Sequence, residues 1–82
     1  MAKTFHLTIA SVGDNLFSGE AVSVTLPGVE GTFTVMAGHE AFVTPLQAGV
    51  ALVKTPDSAE TSYTLHAGGI AEVSGGQATV LL

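Results

Sequence analysis

Turn-forming residues punctuate this chain at intervals of about 8 to 12 residues or a little less, and between them apolar residues alternate with polar ones. Phe5, Leu7 and Ile9 alternate with His6 and Thr8; Val22, Val24 and Leu26 alternate with Ser23 and Thr25; Phe33 and Val35 alternate with Thr32 and Thr34. A period of two places one set of side chains on each face of a strand. No window of about 11 residues carries the i, i+3, i+4, i+7 stripe of an amphipathic helix. The pattern predicts an all-β domain of eight to ten short strands that hide their apolar faces against each other, as a flattened antiparallel sandwich or barrel.

The punctuation has a local chemistry. Gly13-Asp14-Asn15 favours reversal, because Asp and Asn bond their own backbone and Gly accepts the left-handed region. Ser18-Gly19 predicts a bend or bulge in a short strand. Pro27-Gly28 has the residues of a type II turn, and Gly75-Gly76 those of a tight hairpin. Gly68-Gly69 breaks the alternation between Ser62-Tyr63-Thr64-Leu65-His66 and Ile70-Ala71-Glu72-Val73. In the middle, Ala37-Gly38-His39-Glu40 makes a glycine-centred break. The residues after it, Ala41-Phe42-Val43-Thr44-Pro45-Leu46, form a connection more apolar than a surface loop needs to be, which predicts a covering partner.

At 82 residues the chain makes one domain, residues 1–82, with one modest core. Only 11% of its residues are charged, against about a quarter in ordinary soluble domains, so its surface is thinly charged. The net charge of −5, the two lysines and the absence of arginine argue against nucleic acid, which requires clustered cations. Without cysteine there is neither a disulfide framework nor a thiolate metal site. No apolar run approaches the ~20 residues of a membrane span, and the alternation begins directly after Lys3, so no leader or direct membrane insertion is expected.

Catalytic chemistry is sparse. His6, His39 and His66 show no metal-ligand spacing, and His6 and His66 read as solvated strand residues. His39 beside Glu40 lacks a nucleophile or an orienting third group. The glycine pairs match neither phosphate-loop pattern, and the turn carboxylates Glu30, Asp57 and Glu60 are too scattered for Ca²⁺. No catalytic, nucleotide, metal or cofactor site is expected; the chain reads as a binding or structural module. A stand-alone sandwich for a small ligand or carbohydrate would want exposed aromatic rings, and the chain has no Trp and one Tyr. A jelly-roll metalloenzyme would need clustered His and carboxylate ligands.

The run from Gly31 to Gly49, with Phe17-Ser18-Gly19 before it and Gly68-Gly-Ile-Ala-Glu72-Val73 after it, resembles the N-terminal β-sandwich of the epsilon subunit of F-type ATP synthases, called delta in mitochondria. The resemblance covers essentially the whole chain. It departs at Ala37-Gly38-His39, where such subunits usually have Pro-Gly-His, and at Ala41-Phe42-Val43-Thr44, where they have Pro-Leu-Leu-Thr. It implies a ten-stranded flattened barrel and a non-catalytic rotor part of the proton-translocating complex, at the cytoplasmic face of the bacterial inner membrane. Carried over by position, Ser11, His39, Phe42 and Thr44 would lie against the gamma shaft. Gly28, Val29, Glu30, Gly31 and Thr32 would meet the ring of c subunits. The family usually continues into two C-terminal helices; no helical segment is expected within these 82 residues, so inhibition by that route and a nucleotide site are not expected of them.

Overall fold

The computed structural model describes residues 3–82. These form nine strands, β1 (Phe5–Ser11), β2 (Asp14–Ala21), β3 (Ser23–Gly28), β4 (Gly31–Met36), β5 (Phe42–Leu46), β6 (Gly49–Lys54), β7 (Glu60–Leu65), β8 (Gly69–Ser74) and β9 (Gln77–Leu81). Strand order is β2-β1-β9-β8-β5 in one layer and β4-β3-β6-β7 in the other, joined at a corner where Gly28 of β3 bridges Leu46 of β5. The alternation closes the core from both layers: Phe5, Leu7 and Ile9, Ala71 and Val73, Ala78 and Val80 from one, Val24, Leu26, Val35, Ala51, Val53 and Leu65 from the other. No polar or charged side chain is buried among the described residues.

The all-β architecture is as the pattern predicts, and nine strands lie within the eight to ten expected, one fewer than the barrel the resemblance implies. The difference is that β1 pairs with β9 in parallel, Leu7 opposite Ala78 and Ile9 opposite Val80. A parallel pair between the two ends of the chain leaves no local turn signal, so periodicity alone cannot show it.

Several turns sit elsewhere than their residues suggest. The first reversal falls on Val12 and Gly13, and Asp14 and Asn15 already belong to β2. The bulge is at Leu16, not Gly19: Phe17 pairs with Ile9 and Asn15 with Ala10, leaving Leu16 as the extra residue. Pro27-Gly28 is not a turn. Both residues end β3, buried, and the chain reverses at Val29-Glu30, with Gly28 paired to Gly31. Gly28 is needed for space, since a Cβ there would lie 2.8 Å from the Gly31 carbonyl and 2.9 Å from the Phe33 ring. His66 lies in the bend just past β7 and not on the strand.

The Gly38 break and the Gly75-Gly76 hairpin form where expected. At the first, the His39 amide donates to the Met36 carbonyl at 3.1 Å with Gly38 at φ +85°, the type II arrangement. At the second, both glycines have positive φ, the type I′ arrangement that suits a two-residue hairpin.

Candidate interaction surface

The apolar segment after Gly38 is not a connection. It is β5, paired along its length with β8, Phe42 opposite Val73 and Leu46 opposite Gly69. Phe42 and Thr44 turn inward, half-buried, while Val43 and Pro45 face outward. The Phe42 ring packs edge-on against Phe33 and lies 4.9 Å from the His39 ring. The Thr44 hydroxyl donates to the Pro45 carbonyl. Phe42 is therefore largely a packing residue of the corner, and the solvent-facing apolar groups are its neighbours.

Those neighbours line up. Pro45 is opposite Ile70, Ile70 opposite Leu81, and Leu81 opposite Ala10, so one row crosses β5, β8, β9 and β1 on the outer face. Ile70 is 50% exposed and Leu81 56%; Val43, two residues before Pro45 on the same face, is 63% exposed. Glu72, opposite Val43 and Thr79, is the charge beside this row. Side chains of this size in register on an open sheet face are more often contact surface than accident.

This register relates the four residues expected to face a shaft. Thr44 adjoins one end of the row and Ser11, following Ala10, adjoins the other. His39 lies toward the opposite end of β5, in the turn between β4 and β5, beside Val73 and Gln77. The four do not cluster: Ser11 and Thr44 only adjoin the ends of the row in sequence, Thr44 turning inward, and the row itself is carried by Ile70 and Leu81, which the reading from residue types passed over. A signal existed: Ile70-Ala71 and Val80-Leu81 put apolar groups on both faces of their strands, which implies that both faces are covered.

The five residues expected to meet a ring form the β3–β4 hairpin tip, at the Ser11 end. Val29 and Glu30 are exposed at its apex. Its base is pinned to β5: the Val29 amide donates to the Pro45 carbonyl, the Gln47 amide to the Pro27 carbonyl at 2.8 Å, and the Gln47 side-chain amide to the Gly28 carbonyl at 3.0 Å. Such a tip is held stiffly on the body.

The charged groups are solvated. His6 and Lys54 stand 3.8 Å from Glu20 and Glu60 in exposed pairs. The Thr55 hydroxyl and the Ala59 amide donate to Asp57 and hold its carboxyl below the usual range. A groove beside that turn is lined by Val22, Lys54, Thr55, Pro56 and Glu60 without an aromatic ring. Among the described residues no three His, Asp or Glu are grouped as metal ligands, and no helix is long and apolar enough to cross a membrane.

A nine-stranded sandwich with an uncharged outer row and a rigid hairpin tip defines a protein of the interaction class. Residues 4–82 match the family model described as "ATP synthase, Delta/Epsilon chain, beta-sandwich domain", and the chain belongs to that family. It is 37% identical over 81 residues to the ATP synthase epsilon chain of Janthinobacterium sp. (strain Marseille), covering 99% of this chain and 58% of that one. With the epsilon chain of Chlorobium limicola it shares 38% over 79 residues, covering 96% and 89%. With that of Afipia carboxidovorans it shares 42% over 78, covering 95% and 56%. It thus spans little more than half of the first and third relatives. A chain in the Euglena gracilis mitochondrial ATP synthase structure, of its OSCP/F1/c-ring part, superposes with a TM-score of 0.88 at 25% identity, covering 95% of this chain and 49% of that one. One in the Tetrahymena thermophila central stalk and c-ring structure superposes at 0.78 with 12% identity, covering 98% and 63%, a likeness of fold alone.

Proposed function

We propose that this chain is a non-catalytic rotor part of an F-type ATP synthase, binding the gamma shaft on one side and seating on the c ring at one end, so that rotation of the ring turns the shaft. The observation that carries this reading is its likeness to epsilon chains along nearly its whole length, joined to the outward row Pro45–Ile70–Leu81. In this role the domain does no chemistry, holds no cofactor, and works at the cytoplasmic face of the bacterial inner membrane as a peripheral part of the complex. The gamma contact runs along the outer row with Val43 and takes in Ser11, Thr44 and His39 only at its margins, since Thr44 turns inward and Ser11 follows the outward Ala10; Phe42 supports it from beneath. The ring contact is the tip at residues 28–32. Short connections pinned by backbone bonds give a body with few soft motions, which a load-bearing clamp requires.

Binding of the purified gamma subunit by calorimetry tests this. Ile70→Asp and Leu81→Asp place a charge in the row, each costing on the order of tenfold in affinity while the domain stays folded. Unchanged affinity in both folded variants would overturn this face as the gamma site.

A further inference from the structure

We propose that β4 is a self-pairing edge, through which two copies of this chain join antiparallel around Thr34. Among the described residues β4 pairs only with β3. Gly28 and Gly31 pair across a two-residue turn, so they exchange hydrogen bonds, and by alternation so do Leu26 with Phe33 and Val24 with Val35. The amides and carbonyls of Thr32 and Thr34, with the Met36 amide, therefore point away from β3 as an unused ladder.

Sheet edges are normally guarded by charge, proline or a bulge. β2 has the Leu16 bulge with Asp14 and Glu20. β7 has Glu60, and its Tyr63 is met by Phe17 of β2 with ring centroids 6.4 Å apart. β4, Gly-Thr-Phe-Thr-Val-Met, has none of these guards.

Its sequence is also self-complementary. With Thr34 opposite Thr34 of the second copy, Thr32 faces the second copy's Met36 through the free bonding groups. Phe33 faces the second copy's Val35 in the close, non-bonded position, a large ring against a small branched group. The same register sets Glu30 opposite the second copy's Gly38, with that copy's His39 and Glu40 next along the chain, so no acid stands directly opposite another despite the net charge of −5. An edge joint of six residues buries well under the ~1,200 Å² of a standard complex, so the pair is weak and reversible. Self-pairing masks this edge in a chain without other partners.

Analytical ultracentrifugation of the 82-residue chain, from micromolar to millimolar, tests this alongside amide exchange and intermolecular NOEs in a mixed-label sample. Expected are a monomer–dimer equilibrium, slowed exchange at Thr32, Thr34 and Met36 as concentration rises, and NOEs across Thr34. Thr34 is exposed, so Thr34→Lys keeps the fold, checked by its amide spectrum, and weakens dimerisation roughly tenfold or more by opposing two cations. A monomer throughout the range, a dimer indifferent to Thr34→Lys, or exchange protection of β4 that arises only when another protein is added would each overturn the proposal.

Discussion

Phe33 and Phe42 meet edge to face, ring centroids 5.4 Å apart and planes at 75°, tying β4 to β5 across the corner of the sandwich. Phe33 also lies over Gly28, where the absent side chain gives it room. The hairpin tip, the Gly38 turn and the outer row thus share one aromatic support.

Truncating that support separates packing from contact. Phe42→Ala is expected to cost about 2 kcal/mol, less than a fully buried Phe because the ring is only half-covered. His39→Ala, exposed in its turn, should cost under about 0.5 kcal/mol. Urea unfolding of both variants measures the difference; a Phe42→Ala as stable as the parent would refute the packing role.

Gly68 and Gly69 are required for close approach. A Cβ on Gly68 would strike the Leu46 carbonyl and one on Gly69 the Leu81 carbonyl, both backbone atoms that cannot swing aside. Gly68→Ala and Gly69→Ala should each lose about 1–3 kcal/mol, read as a lowered Tm.

Core depth sets a larger penalty. Leu7 is fully buried in the middle of β1, and Leu7→Ala should remove about 3 kcal/mol, much of the ~5 kcal/mol that a domain of this size has. The denaturation midpoint should fall with the slope unchanged.

Asp57 gives a small acid dependence. Its carboxyl is held below the usual range, first by the Thr55 hydroxyl and then by the Ala59 amide, so the charged form is favoured in the folded chain. That stability is present above the unfolded aspartate's titration and is lost as pH falls through the lower folded value. Asp57→Asn should therefore flatten the acid side of the Tm–pH curve in that window alone. The group is fully exposed, so the effect is slight.

Much of this molecule could be read residue by residue. Period-two alternation marked Phe5, Leu7, Ile9, Val24, Leu26 and Val35 as core, and the backbone needs of Gly38, Gly75 and Gly76 marked their turns, because both depend on a few adjacent residues. Likeness to a known family supplied the partners expected at Ser11, Thr44 and the 28–32 tip, which no period or turn rule contains. Pro27-Gly28 misled because the corner with β5 buries both residues, so tertiary packing overrode a local turn signal.

What only the tertiary structure decided is which strands lie side by side. The parallel seam of β1 with β9, the collisions that require Gly68 and Gly69, and the meeting of Pro45, Ile70, Leu81 and Ala10 in one outer row all join residues far apart in the chain. The physical reason is that alternation states which way a side chain faces, whereas its neighbour on that face is chosen by long-range backbone hydrogen bonds that no short window encodes.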